Sequence, residues 1–297
     1  MVPPQAVVDA LGRAVRPAET PRRIVSLVPS ETLSVADLVG VDRLVGRTDY
    51  CIEPVGAIEA IASVGGTKGI DVDRVRALEP DLVLANQEEN SRVQIEKLID
   101  AGLTVHVSFP CTVRASIDYV RALGKLLGAA TAAGAWATSA EDALRDLSEG
   151  GVSGQPSPWR VFAPIWRDPW MTFDGRTYAS DVLRVCGAIN VFEDRERRYP
   201  LAADVGQAPA QPTDRDTRYP RVTVEEIAAR APDTVLLADE PFRFGEDDRR
   251  ALRALSLPAA ERDRLWLVGG KDLFWYGTWT RHALRNLPGL LRDGPGG

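Results

Sequence analysis

The stretch "EPDLVLANQEEN", Glu79–Asn90, decides how the chain folds. Leu82, Val83 and Leu84 are entered through Pro-Asp and left through a cluster of amides and acids. A short apolar run bounded by turn signals predicts a strand buried on both faces, as in a parallel sheet. "APDTVLLADEPF", Ala231–Phe242, writes the same phrase again in the second half.

Each phrase follows a helix-like stretch. "IDVDRVRALEP" places Val72, Val75 and Leu78 on one helical face, and "VTVEEIAARAP" precedes the second phrase. Outward from there the first half alternates: strand "RRIVSLVPS", helix "SETLSVADLVGV" with Ser30 placed to cap it, strand "RLVGRTD", helix "SRVQIEKLIDAG", strand "LTVHVSF". The second half reads "WRVFAPI", "RTYASDVLRVCGA", "DTVLLAD", "DRLWLVG" and "WTRHALRNLPGLL" in the same grammar. Strands alternating with helices predict α/β layers and largely parallel sheets. Residues 111–150 are Ala-rich, Pro-free and helix-favouring, with a break near Gly128. The expected fold is therefore α/β, with two Rossmann-like lobes over 1–110 and 151–297. A long rigid helical segment over 111–150 joins them, and a ligand cleft lies between them.

Composition bounds the function. At 44% hydrophobic and 26% charged residues, the chain has the make-up of a globular domain. A net charge of −6 lacks the concentrated basic surface that nucleic-acid binding needs. Cys51, Cys111 and Cys186 are odd in number and widely spaced, so no disulfide framework is expected. His106 and His282 are too few for a His-built zinc site, and no metal site or resident cofactor is expected. "VGGTKG", 64–69, lacks P-loop spacing, and its glycines read as turn formers. The opening "MVPPQAVVDALGRAVRP" has no charged start and apolar h-region, and no Cys precedes Cys51. As written, that predicts a cytoplasmic protein, or a periplasmic or cell-surface one if a leader has been removed.

Ligands of parallel α/β sheets sit beyond the carboxyl ends of the strands. Asn86–Asn90 and Asp239–Phe242 are such strand-end loops. Glu88 and Glu89 suit cations or ligand amides, against the alternative that acids simply favour a helix's first turn. Trp166 and Trp170 flank "RDP" after a strand, a poor core pattern and a good aromatic platform. Trp275 and Tyr276 follow a strand and a Gly-Gly turn in the same way. Of Arg47, Arg92, Arg167, Arg243 and Arg281, Arg167 is foremost for an anionic group, although Asp168, Glu88 and Glu89 favour a neutral or cationic ligand. Cys51 reads as a small buried group before a metal thiolate, and His106 as a core histidine.

"RRIVSLVPSETL", "VGRTDYC", "VGGTKGIDVDRVRALEPDLVLAN" and "DPWMTFDGRTYASDVLRVCGAINVF" together resemble the helical-backbone metal receptor superfamily. Its members include periplasmic proteins that bind cobalamin and ferric siderophores. The resemblance implies two α/β lobes, a connecting helix and no catalysis. It implies a small-molecule metal chelate as ligand: a corrinoid such as cobalamin, or alternatively a ferric siderophore or haem. It adds Ser30, Tyr50, Gln87, Asn90 and Phe242 to the ligand-facing set. It also implies delivery to an ABC permease through an acid on each lobe: Glu59 fits the first, while Ile189 stands where some relatives carry Glu, with Glu193 nearby. A monomer is expected. The competing readings are a transporter-less sensor or carrier, and a metal-inserting enzyme, which would need a His–acid pair that His106 and His282 are poorly placed to supply.

Overall fold

The strands of the two Pro-Asp phrases lie inside two separate parallel sheets. The computed structural model describes residues 5–150 and 158–295, which divide into two units. Unit 1 holds the described residues up to Pro110, then Arg114–Asp142 and Trp275–Arg281; unit 2 holds Cys111–Val113 and the remainder.

In unit 1 a hairpin pairs β1 (Val7–Val8) with β2 (Ala14–Val15). The sheet strands are β3 (Ile24–Ser26), β4 (Leu44–Arg47), β5 (Ala62–Ser63), β6 (Leu82–Asn86) and β7 (Val105–Ser108). They lie in the order β5-β4-β3-β6-β7, every pair parallel. All of β6 is buried, as a strand covered on both faces requires. The helices are α1 (Pro29–Val39), α2 (Val72–Ala77) and α3 (Arg92–Asp100). Asp71 caps α2 by accepting from Arg74 N at 3.0 Å. Ser30, expected as the cap of α1, lies inside its first turn instead. Pro29 opens that helix, because a fixed φ and a missing N–H suit the first helical position. Val25, Leu27, Val83, Val105 and Leu98 form the core beneath these helices.

The helical segment expected over 111–150 is two helices, α4 (Val113–Leu126) and α5 (Ala130–Gly150), and it does not stand apart as a linker. Arg114–Asp142 packs within unit 1, and the division falls inside α5. Gly128 sits in the break at φ 67, a left-handed conformation. Gly124 permits a close approach of the two helices: a Cβ there would come within 2.2 Å of that of Ala133.

Unit 2 contains β8 (Trp159–Phe162), α6 (Tyr178–Val185), β9 (Ala188–Asn190), α7 (Leu201–Asp204), α8 (Val224–Arg230) and β10 (Thr234–Ala238). Next come α9 (Glu246–Arg253), α10 (Pro258–Glu261), β11 (Leu265–Val268) and α11 (Lys271–Phe274), and α12 (Thr280–Asp293), which enters unit 2 at His282, ends the fold. The sheet order is β11-β10-β8-β9, again all parallel. Thr177 and Thr223 cap α6 and α8 through their side-chain oxygens. Phe162, Phe192, Val235, Leu237, Leu252 and Leu265 make up its core. The segment Trp275–Arg281, expected in the second lobe, belongs to unit 1. Its backbone donates there, Gly277 N to Ser116 Oγ at 2.7 Å and Thr278 N to Ser34 Oγ at 3.0 Å. No described helix is long and apolar enough to cross a membrane.

Candidate functional site

Strand order alone places the site within each unit. In unit 1 the chain builds outward from β3 through β4 to β5, then returns to β6 on the other side of β3. In unit 2 it builds from β8 to β9, then returns to β10 on the other side of β8. Ligands of such sheets sit at the carboxyl ends of the two strands where the direction reverses. The segments there are Leu27–Val28 with the first turn of α1 and the loop Gln87–Asn90 in unit 1, and the loops Ala163–Trp170 and Asp239–Phe244 in unit 2.

In unit 1, Asn86 ends β6 and organises the loop beyond it. Its Oδ1 accepts from Glu88 N at 2.8 Å and Glu89 N at 3.1 Å. Its Nδ2 donates to Ser108 Oγ and to the Tyr276 hydroxyl, each at 3.0 Å. Asn90 braces the loop from the other end: Oδ1 accepts from Asn86 N at 2.8 Å, and Nδ2 donates to Leu27 O and Thr67 O at 3.1 Å. Lys68, in the glycine-bearing turn, donates to Glu88 O. Gln87 and Glu89 are exposed and Glu88 is half-buried. Glu89 is reachable by solvent yet crowded by protein, and the crowding pushes its carboxyl up while the Lys68 ammonium opposes. Exposure decides what a ligand can touch; the crowding decides only the direction of the shift.

Beneath this loop lies Glu31, fully buried in the first turn of α1. Its Oε1 accepts from Ser108 Oγ and from the Tyr276 hydroxyl, the latter at 2.8 Å. Burial pushes the carboxyl up to about 7, although the hydrogen bonds from Ser108 and Tyr276 pull the other way.

The remaining expectations in unit 1 divide by burial. Tyr50 is 63% exposed, on a loop with exposed Ile52 and Val55. Glu59 is exposed in a short helical turn and accepts from Gly56 N at 3.2 Å. Ser30, Asn90, Trp275 and Tyr276 are buried, and the hydroxyl of Tyr276 is engaged in the Glu31 network. Trp275 packs edge-on against Trp279 at 6.0 Å. Cys51 is buried, with Thr32 Oγ1 at 3.0 Å and Thr48 Oγ1 at 3.2 Å from its sulfur. Burial pushes its thiol up, which favours the neutral buried group over a thiolate ligand. His106 is buried in β7, and desolvation lowers it to about 4.

Unit 2 offers an aromatic face. The segment from Trp166 to Met171 folds back on itself, Met171 N donating to Trp166 O at 3.0 Å, with Arg167–Trp170 in the turn. Trp166 is 47% exposed and meets the half-buried Phe242 edge-on, ring centres 5.2 Å apart. Phe242 contacts Phe244 at 4.8 Å, and Phe244 lies parallel to Trp170 at 5.9 Å. Each such pair adds about 0.5–1.5 kcal/mol beyond area burial, so the inner rings hold the outer ones in place. Arg167 lies over Trp170 at 5.3 Å and pairs with Asp248, which also accepts from Gly245 N at 2.8 Å at the start of α9. The guanidinium expected to meet an anionic ligand is thus committed to an internal acid, while Arg243 is exposed beside Phe242.

Among the described residues no group of His, Cys, Asp and Glu could hold a metal ion. Sequence reasoning missed Glu31 as the centre of a network, because its partners Ser108 and Tyr276 are remote in sequence. Its signal was an acid inside "PSETL", where the next turns of helix are apolar.

Residues 24–254 match the profile of the family described as periplasmic binding protein. The vitamin B12-binding protein of Vibrio cholerae is 26% identical over 253 residues, spanning 85% of this chain and 81% of that protein. The crystal structure of the V. cholerae periplasmic vitamin B12-binding protein BtuF aligns with a TM-score of 0.73 at 22% identity, covering 94% of this chain and 99% of that one. A periplasmic haem-binding protein from Pseudomonas aeruginosa also aligns at 0.73, with 24% identity and coverage of 91% and 92%. At these identities the two structural likenesses establish the fold, the two-lobe α/β architecture of those proteins.

Proposed function

The chain belongs to the periplasmic binding protein family, and from that premise we propose that it captures a metal-bearing chelate, a corrinoid of the cobalamin type. The observation that carries the choice is the exposed Trp166 set edge-on against Phe242 at the point where unit 2's strand order reverses. A wide macrocycle needs flat apolar contact that loses little entropy on ordering, which a braced indole supplies. The corrin ring also carries a fringe of amides, and the exposed Gln87 and Glu89 with the half-buried Glu88 supply acceptors for them. The pairing of Arg167 with Asp248 favours a ligand without strong negative charge. The name of the V. cholerae relative supports the same ligand.

A second reading, haem or a ferric siderophore, is favoured by one observation, the exposed Arg243 beside Phe242. In either case the chelate is cargo. We propose that the chain has no resident cofactor, performs no catalysis, binds no nucleic acid and acts as a monomer. Its net charge of −6 and the burial of His106 support this. Delivery to an ABC permease through the exposed Glu59, with Glu193 as the acid of unit 2, completes the proposal.

The cytoplasmic expectation is corrected. Membership of a periplasmic family, shared with relatives that bind vitamin B12, supports a periplasmic or cell-surface location. That expectation rested on the letters of the opening stretch and on the lack of a Cys before Cys51, signals separate from the binding fold itself.

Calorimetric titration with cyanocobalamin, cobinamide, haem and ferric siderophores tests the reading. One-to-one binding of the corrinoids supports it. Binding of haem or siderophore alone transfers the assignment to the second reading, and no binding across the panel overturns both.

A further inference from the structure

We propose that Glu31 is the proton-linked positioning residue of unit 1's carboxyl-edge loops: by holding or releasing one proton it sets where Asn86, the Glu88–Glu89 main chain and Tyr276 sit. The consequence for ligand affinity rests on the corrinoid reading above; the positioning does not.

The connection is continuous. Ser108 Oγ and the Tyr276 hydroxyl both donate to Glu31 Oε1, both accept from Asn86 Nδ2, and lie 3.0 Å from one another. Asn86 Oδ1 then holds the two amides that begin the exposed acidic loop. Whatever moves the Glu31 carboxyl moves the anchor of that loop.

The other carboxyl oxygen explains why a proton matters. Among the described residues, Glu31 Oε2 is buried and has no partner at full hydrogen-bond geometry, and neither has the hydroxyl of Tyr119 on α4; that hydroxyl reaches Glu31 only as a weak donor. The groups facing Glu31 are Ser108 from β7, Tyr276 from the returning segment, Tyr119 from α4, and Asn86 and Glu89 from β6 and its loop. None is a cation; Lys68 acts on Glu89. An ionised carboxylate with one oxygen held only weakly, and no counter-charge among these described groups, is the costly state, since a buried charge is tolerated only when paired and hydrogen-bonded. The neutral acid keeps both bonds to Oε1 and presents an O–H on the Tyr119 side. The positive end of α1 favours ionisation, while burial acts against it and pushes the carboxyl up to about 7. Once ionised, Glu31 repels Glu89 and draws donors toward Oε2, and both effects pull on the loop that Asn86 anchors.

A ligand that needs the loop in its anchored position binds only the protonated fraction. Apparent affinity scales with that fraction, so it falls about tenfold from pH 6 to pH 8 when the midpoint is near 7.

The test has two arms. Nitrogen-15 spectra of the ligand-free protein are recorded from pH 5 to pH 9, with cyanocobalamin titrations across the same range. Glu31→Gln retains an acceptor for Ser108 and Tyr276 and cannot ionise; Glu89→Gln removes the neighbouring carboxyl as a source of any response. The Glu88 and Glu89 amides are expected to titrate near pH 7 in the wild type and in Glu89→Gln, and to stay flat in Glu31→Gln. Tyr276→Phe, which deletes a bond favouring the charged form, moves the midpoint upward. Amides that stay flat in the wild type, or titrate unchanged in Glu31→Gln or Tyr276→Phe, overturn the proposal whatever the ligand. Titrating amides with pH-independent cyanocobalamin binding overturn the coupling. If cyanocobalamin fails to bind at every pH, the corrinoid reading fails, and the amides alone decide the role of Glu31.

Discussion

The Tyr276 hydroxyl donates to Glu31 Oε1 at 2.8 Å, joining residues from nearly opposite ends of the chain. The segment that carries Tyr276 belongs to the same unit as Glu31, although the described residues between Ala143 and Phe274 lie in the other. The bond also tethers the C-terminal stretch to α1, alongside Gly277 N to Ser116 on α4 and Thr278 N to Ser34 on α1.

Stability should depend on pH through two buried groups of opposite sign. Glu31 has a folded value raised by burial from 4.5 to about 7. Its contribution is fully present below about pH 4.5 and is lost as pH rises through 7, a change of about 3 kcal/mol. His106 has a folded value lowered by desolvation from 6.5 to about 4, with Asp9 opposing. Its contribution is present above about pH 6.5 and is lost as pH falls toward 4, again about 3 kcal/mol. The slopes cancel in between, so the wild type should be nearly flat from about pH 5 to 6.5. Urea unfolding across that range should show Glu31→Gln losing stability as pH falls and His106→Gln gaining it. Parallel curves for all three proteins would count against both assignments.

Asn86→Ala should destabilise unit 1 by about 2–4 kcal/mol, because it strips buried partners from Ser108, Tyr276 and two loop amides at once. Asn86→Asp keeps the acceptor for Glu88 N and Glu89 N but turns a second acid toward the Glu31 network. It should be no better at neutral pH and should recover as pH falls. Thermal unfolding at two pH values separates these outcomes.

Much of this was legible in the letters, for a definite reason. The Pro-Asp phrase around Val83 and Leu84 and its echo around Val235 and Leu237 encode local strand ends, and strand ends are where such sheets hold ligands. Exposed Trp166 betrayed itself by flanking a turn. What local pattern cannot encode is which side chain meets which across the fold. Tyr276 reads like Trp166, an aromatic after a turn, yet its hydroxyl is engaged inside unit 1. Arg167 reads like a free guanidinium until Asp248 at the start of α9 is seen beside it. Ser30 has the letter of a helix cap, but Pro29 before it starts the helix earlier.

Trp166→Ala should separate affinity from stability. Nearly half of the residue's surface is exposed, so the change in folding free energy should stay near 0.5 kcal/mol. Corrinoid affinity should fall by about 2 kcal/mol or more, roughly thirtyfold, if the indole is a principal contact. Trp170→Ala is the contrast: its ring lies against Phe244 and beneath Arg167, so folding stability should fall first. Paired calorimetry and thermal unfolding decide it, and unchanged affinity in Trp166→Ala would remove the residue from the site.

Glu59→Arg should leave cyanocobalamin binding unchanged, since Glu59 sits exposed in its own short turn, where it accepts from Gly56 N. Stimulation of permease ATPase activity should fall, because a like-charge contact at a docking surface opposes association where the acid favoured it. Reconstitution of the permease in vesicles with each protein measures this. Equal stimulation would detach Glu59 from delivery.

Arg243 and Arg167 together decide between the two ligand classes. Arg167 is paired with Asp248, a buried acid that also caps α9, so Arg167→Ala should act on folding, lowering stability by about 1–3 kcal/mol. Its effect on binding would be secondary, through the tilt of Trp170 beneath it. Arg243 is exposed beside Phe242 and so is placed to meet an anionic group directly. If the ligand is a corrinoid, Arg243→Gln should leave affinity within about twofold and insensitive to salt, because little charge is screened. If the ligand is haem or a carboxylate-bearing siderophore, the same substitution should weaken binding about tenfold or more and flatten its salt dependence. Titrations of both variants at low and high ionic strength distinguish these patterns. Salt-sensitive binding lost in Arg243→Gln would move the assignment away from cobalamin even if Trp166 proved essential, because an aromatic platform serves either macrocycle while a guanidinium selects between them.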